Sequence, residues 1–327
     1  MSNTDRHRRK WVEWMNKVAL KSVLNDFLLE KAELDPSICL VVSDSRGSAG
    51  VSEFGMKFPE RVVEVGIAEQ NLIGIASGLS VGKMKPFVAS PSCFITARSL
   101  EQLKADIAYN NLPVVVVGVS SGVSYGQLGF THHTLHDFAV MGSMANFRVF
   151  APADAYEMKA VLQRVYEDAL PTYIRIGRNA VPVVHTGVIE DFKVGQGISL
   201  KKGSDVTIIA TGEMVATAVL ASEIIEQSGF SVGVVSMPTI KPLDKSLIVD
   251  LASKSKLLVT LEEHTVVGGL GSEVARVVSE YCPVRLKTLG FASEILVTGS
   301  SEEIKAHYGL DASGVATTIC SFLRDEL

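Results

Sequence analysis

The stretch VVEVGIAEQNLIGIASGLS, Val62 to Ser80, decides how the chain is read. Its opening valines and Gly66 have the composition of a short strand running into a turn. From Glu69 onward the residues suit a helix, with small side chains at Gly74, Ala76, Ser77 and Gly78. Glu64 and Glu69 are carboxylates in a segment otherwise built for burial. A strand that gives way to a helix through a glycine is half of a βα unit, and the sequence on either side repeats that unit.

Upstream, ICLVVSD (38–44) reads as a strand ending in a polar turn. Downstream, MKPFVAS (84–90) is a strand followed by a helical stretch to Tyr109. LPVVVVGVS (112–120) is a nearly unbroken apolar run, as expected of a strand covered on both faces. FRVFAPAD (147–154) predicts a strand, a Pro-punctuated turn and an Asp N-cap for the helix over 155–169, and PTYIRIGR (171–178) returns as a strand. Near 185–204 the sequence becomes polar and Gly-rich, as a linker or small hairpin would be. Alternation then resumes with SDVTIIATG (204–212), a helix to about Gly229, FSVGVVSMPTIKPLD (230–244), KLLVTLEEH (256–264) and a Gly-led helix from GGLGSEVARVVSE (268–280). This is an α/β chain of two domains, each with a mainly parallel sheet flanked by helices, expected at 1–188 and 189–327. Parallel sheets bind ligands beyond the carboxyl ends of their strands, so the informative loops follow Ser43, Gly66, Ala89, Ser120 and Ile176.

The 327 residues suit two cores better than one. Apolar residues are 47% and charged residues 20%, an ordinary globular balance, and a net charge of −5 provides no basic field for nucleic acid or an anionic membrane. No apolar run approaches the roughly 18–20 residues that span a bilayer. The basic start MSNTDRHRRKWVEW lacks a signal peptide's apolar region and reads as an arm into the first helix. Cys39, Cys93, Cys282 and Cys320 are scattered without a C-x-x-C pair, consistent with buried thiols of a reducing compartment, so the expected location is cytoplasmic.

Glu69 by itself is explained by the favourable field at a helix N-terminus. Its setting adds more. G-I-A-E-Q-N followed by small residues resembles the pyrimidine-binding segment of transketolases and of 1-deoxyxylulose-5-phosphate synthase. The resemblance runs from about residue 15 to 327 and implies a pyrimidine-binding domain followed by a transketolase C-terminal domain. It implies that Glu69 hydrogen-bonds the aminopyrimidine ring of thiamine diphosphate, with Ile67 and Arg98 also on the cofactor. Burial favours the neutral form of a carboxyl, which suits such a group to share a proton with a ring nitrogen. In KPFVASPSCFITARSLEQLKADIAY (85–109), Phe94 matches the aromatic that lies over the aminopyrimidine; its plain alternative is helix core.

In DSRGSAG (44–50), Ser48 matches the serine at the substrate phosphate, with Ser45 the alternative. GFTHHTLHD (129–137) resembles the substrate loop, and His132 matches its histidine, suited to proton movement near neutral pH. His133 stands where glutamine is usual and is a second candidate for that role. His132 and His136 are also spaced i, i+4 as metal ligands can be, with His133 or Asp137 the only evident candidates for a third ligand. In YIRIGRNAVP (173–182), Arg178 matches the phosphate-binding arginine, and Arg175, earlier on the same run, is expected on the same side and remains an alternative. LEEHTVVGGLGSEVA (261–275) resembles the C-terminal domain; its glycines only partly match a dinucleotide fingerprint.

Three further positions depart from the family pattern. Leu128 stands for an aspartate that contacts the substrate α-hydroxyl, Ser120 for a histidine, and Lys21 for a phosphate-contacting arginine. A leucine leaves a buried hydroxyl unpaired at a cost of about 1–3 kcal/mol. The departures imply a donor or acceptor other than the usual pentose phosphates: one lacking the α-hydroxyl, branched, or a ketone. The G-D-G of the family's Mg²⁺-diphosphate site is missing from the sequence. The resemblance therefore implies the C-terminal subunit of a split transketolase. Its Mg²⁺ would be bound mainly by an N-terminal partner subunit, in an assembly of two copies of each chain. The implied reaction moves a two-carbon ketol unit from a ketose to an aldehyde, with the cofactor as electron sink. Rival readings are the β subunit of a 2-oxo acid dehydrogenase, a 1-deoxyxylulose-5-phosphate synthase, or a non-catalytic binding subunit.

Overall fold

The computed structural model describes residues 16–324; the basic N-terminal arm lies outside the described residues. The apolar runs form the centre of a seven-stranded sheet. Ile38–Val42, Lys85–Pro91 and Val115–Val119 lie side by side in parallel, with Val62–Glu64 at one edge and Thr172–Arg175 and Arg148–Phe150 toward the other. Both faces are covered, which is why these strands are apolar throughout. Val41, Val88 and Val116 pack into one core with the helix Glu69–Val81. Leu40, Val42, Phe87 and Val117 pack into another with the helices Leu20–Leu34 and Ala155–Asp168. A second sheet of five strands, in the order Arg285–Phe291, Leu257–Thr265, Val206–Ala210, Val232–Ser236 and Ile198–Lys201, is parallel except for the last.

Two local expectations are corrected. The helical stretch to Tyr109 is interrupted: Ser92–Arg98 ends at Ser99, and Leu103–Ala108 is a π-helical turn. Thr96 Oγ1 and Ser99 Oγ donate to carbonyls four residues back, at Ser92 and Ile95, a pattern that loosens and bends helices. The strand Thr239–Lys241 leaves the second half of the sequence and pairs antiparallel with Arg148–Phe150, adding an edge to the first sheet. The chain's two halves are thus stitched by backbone hydrogen bonds as well as by packing. Among the described residues no helix is long and apolar enough to cross a membrane. All four cysteines are free thiols.

The parallel strands of the first sheet all end at one edge. Two residues other than glycine there take left-handed backbone angles, Asp44 (φ 53°) and Ser120 (φ 56°). Such angles are uncommon for side-chain-bearing residues and persist only where surroundings enforce them.

Behind this edge, Asp154 ties the connection between the halves in place. Its Oδ1 accepts from the amides of Tyr156 and Glu157, the expected N-cap. Its Oδ2 accepts from the amides of Val184 and His185 and, at 3.0 Å, from His185 Nδ1. Burial alone would drive the pKa of His185 down, but its bond to Asp154 and the charge of Glu157 leave it raised. Because folded His185 holds its proton more tightly than the unfolded chain does, this stabilisation is complete below the ordinary value of 6.5 and fades as pH rises through the folded value. We expect His185→Gln to lower stability by about 1–3 kcal/mol at pH 5.5, with the gap to wild type narrowing at pH 9, in urea titrations at both pH values. A gap that widens with pH would contradict the clip.

Candidate functional site

Glu69 is the first residue of the helix Glu69–Val81, and only 3% of it is exposed. Its Oε2 accepts a 2.9 Å hydrogen bond from Nη1 of Arg98, at the end of Ser92–Arg98. The same guanidinium lies over the Phe94 ring, 4.2 Å from its centroid. Phe94 meets the His132 ring edge-on at 5.2 Å, and His132 meets Tyr125 edge-on at 5.3 Å. Arg178 in turn lies over Tyr125 at 5.3 Å, while its amide donates to Ser124 Oγ. Four loops and helix ends thus deliver one continuous row: Glu69, Arg98, Phe94, His132, Tyr125, Arg178. Beside it opens a cavity of about 790 Å³ lined by Phe94, Arg98, Phe130, Thr131 and His133 from the first domain and by residues 292–295 from the second.

The row accounts for a carboxylate in a segment otherwise built for burial. A buried carboxylate needs a counter-charge or hydrogen bonds, and Arg98 provides both. The side chain of Arg98 remains 48% exposed, so the pair sits at the cavity wall rather than in the core. Glu64 has a separate task. It accepts from the amides of Asp44 and Gly66 and pairs with Arg46, which holds the loop after the first sheet strand.

The remaining candidates fall in three places. Ser48 lies on the short helical turn Arg46–Ala49, its hydroxyl donating to the Ser45 carbonyl, and the stem of Lys21 lies against Gly50 at the end of that turn. Ser45 is buried and spends its hydroxyl on Ala89 O. Ile67 is 73%, Leu128 54% and Phe130 59% exposed, and of these three Phe130 lines the cavity. Below the loop, Ser120 is buried and its hydroxyl has no partner. His133 is buried too: its Nε2 donates to Gly126 O, while its Nδ1 is unpartnered. Among the described residues no three His, Cys, Asp or Glu side chains converge as metal ligands would. His132 Nδ1 pairs with Thr131 Oγ1 and His136 Nε2 with Thr96 Oγ1.

Arg175 and Arg178 do not share a side, contrary to expectation. They are three positions apart, an odd spacing, and the strand ends at Arg175. Arg175 is buried, 3.4 Å from Asp137 Oδ1 and stacked over Phe138, while Arg178 is exposed. The glycine-led helix Leu270–Tyr281 has its N-terminus filled from within: the carboxylate of Glu262 accepts from the amides of Leu270 and Gly271 at 2.7 and 2.8 Å. Burial pushes Glu262 up to about 7 even against those bonds. A phosphate at that helix end would have to displace it. Tyr125 is the residue of the row that sequence reading missed; an aromatic flanked by Ser124 and Gly126, ahead of the 129–137 stretch, was its signal.

The transketolase pyrimidine-binding domain model matches residues 16–184, and the transketolase C-terminal domain model matches residues 195–315. The chain is 40% identical over 309 residues to one of the subunits of the apulose-4-phosphate transketolase of Phocaeicola vulgatus, covering 94% of this chain and 99% of that one. It is 34% identical over 297 residues to the 6-deoxy-6-sulfo-D-fructose transketolase subunit SqwH of a Clostridium species, covering 90% and 92%. Among solved structures, a split-gene transketolase in an inactive β4 tetramer superposes with a TM-score of 0.84 at 36% identity, covering 94% of this chain and 99% of that one.

The Glu69–Arg98 pair makes a stability prediction independent of chemistry. Arg98→Ala leaves the carboxylate buried without its partner and should cost about 2–4 kcal/mol in denaturant titrations. Adding Glu69→Gln should recover at least half of that loss. Strictly additive losses would show that the two side chains do not couple.

Proposed function

Because this chain belongs to the transketolase family, as the C-terminal subunit of a split enzyme, we propose that it forms one half of an active site completed by an N-terminal subunit. The reaction transfers a two-carbon ketol unit from a ketose to an aldehyde. The family depends on thiamine diphosphate, which, once bound, serves as the electron sink for breaking and making the carbon–carbon bond. The residues present fit its pyrimidine end: a buried carboxylate, an aromatic face and an apolar cavity adjoin one another. For the diphosphate end, the sequence lacks the G-D-G that the family uses there. The Mg²⁺ and diphosphate are therefore assigned to the partner subunit, in a cytoplasmic assembly of two copies of each chain.

In this reading Glu69 holds a proton against the pyrimidine ring nitrogen, and Arg98 yields that carboxylate and swings along the wall. Phe94 supplies the stacking face, and the backbone around the exposed Ile67 flanks the ring. His132 moves protons at the substrate hydroxyls, with His133 beneath it holding the loop through Gly126. Arg178, on the same row, anchors a distal anionic group by its two-pronged guanidinium. Ser48 and Lys21 take the anionic group of the second substrate from their turn. The two relatives described above are named for ketoses bearing a phosphate or a sulfo group, in keeping with such anchors.

The single observation that carries this reading is the buried Glu69 joined through Arg98 to Phe94 and on to His132. Its test uses the chain assembled with its N-terminal subunit, hydroxypyruvate as ketol donor and glycolaldehyde as acceptor. Glu69→Gln should lower kcat by about 10³-fold or more while the melting temperature stays within a few degrees of wild type. Retained turnover in that variant would contradict the assignment.

Leu128 adds a substrate prediction. Leu128 in place of a hydroxyl-binding carboxylate favours a substrate that is branched, is a ketone, or lacks the α-hydroxyl at this point. Xylulose 5-phosphate and ribose 5-phosphate should be poor substrates, and Leu128→Asp should raise their kcat/KM about tenfold or more. Full efficiency of the unmodified enzyme on that pair would refute the specificity.

A further inference from the structure

The loop that presents His132 is a closed excursion. Gly122 and Thr134 pair across its base, each donating its amide to the other's carbonyl at 3.2 and 2.8 Å. This base does not rest on its own domain alone. Val123 is fully buried in the core of the second domain, among Val206, Ile208 and Leu261. Its amide donates to Oε1 of Glu263, on the strand Leu257–Thr265, at 2.8 Å. Gly122 has no room for a side chain, because a Cβ there would stand 2.4 Å from the same oxygen. On the other arm, the Thr265 amide donates to Leu135 O at 3.0 Å. Arg175 Nη2 bridges the arms, donating to both Thr134 O and the backbone carbonyl of Glu263. Lys305 is half-buried, and the charges of Glu263, Glu213 and Glu302 raise its pKa against the burial, which places a cation in the field of the Glu263 carboxylate.

We propose that Glu263 is a positioning residue for ketol transfer: by fixing the Val123 amide it sets the seat of the 122–134 loop and so the placement of His132 against Phe94. The C-terminal domain then shapes the active site through Glu263 as well as through the cavity wall that Thr265 and residues 292–295 provide. The inference rests on the reading of this chain as a transketolase subunit and on the role given to His132. It also makes a structural claim that holds without that reading, namely that the loop base and the second domain's strand open together.

The test compares wild type, Glu263→Ala and Glu263→Gln in the assembled enzyme, with hydroxypyruvate and glycolaldehyde as substrates. Hydrogen exchange is followed at residues 121–136. In wild type the Val123 amide should be protected to within about tenfold of the strand Leu257–Thr265. Glu263→Ala should speed exchange at Val123 and lower kcat/KM about tenfold or more, with thiamine diphosphate affinity within twofold of wild type. Glu263→Gln keeps an oxygen that can accept the same N–H, so it should stay within about threefold of wild type in both readouts. Three results would overturn the proposal: unprotected Val123 in wild type, full activity in Glu263→Ala, or equal losses in the Ala and Gln variants. The wild-type exchange decides even if Glu263→Ala does not fold. If the unmodified assembly performed no ketol transfer, the function would fail while exchange still judged the clamp.

Discussion

A carboxylate as deeply buried as that of Glu69 must be compensated, and the site is arranged around that constraint. The helix that carries it begins at Glu69 itself, so its free amides and macrodipole face the charge. Arg98 reaches it from the next helix, and Phe94 supports the guanidinium from below. The bend at Ser99 lets that second helix end where Arg98 can point both ways. Remove the carboxylate, and Arg98 loses its partner and Phe94 its role as a platform. The compensation is also what makes the group available, since a half-exposed arginine can be exchanged for another hydrogen-bonding partner without opening the core.

The same economy governs the junction between the two sheets. Polar side chains, each with several partners, join the halves beside a shared apolar core. Asp154 caps a helix and captures the connecting segment. Arg175 holds Asp137, Thr134 and the carbonyl of Glu263. Glu157 accepts from Ser236 across the divide and is raised to about 7 by burial. Such networks are costly when half satisfied, so they fix one relative placement of the halves. That placement sets the wall of the cavity, where residues 292–295 face Phe94 and Arg98.

Much of this was legible in the sequence, for identifiable reasons. The strands of the first sheet are apolar on both faces because helices cover both faces, and a local pattern records that directly. Glu69, Phe94, His132 and Arg178 stand in short motifs, and the structure brings all four onto one row. What was not legible depends on distant partners. Nothing in TARSLEQ announces that two hydroxyls will turn back onto the helix carbonyls. Nothing in PTIKP tells that Thr239–Lys241 will join the other sheet. Arg175 and Arg178 look alike until the end of the strand separates them. The pairing of Glu263 with Val123 spans 140 residues and has no local signature.

The central claim is that this chain holds only the pyrimidine half of a thiamine diphosphate site. Calorimetric titration of the cofactor with Mg²⁺, first into this chain alone and then into the chain mixed with its N-terminal subunit, tests it most directly. The account predicts tight binding only in the mixture, lost again when the mixture carries Glu69→Gln. Equally tight binding to the chain alone would contradict it, because a complete diphosphate seat would then lie within these 327 residues.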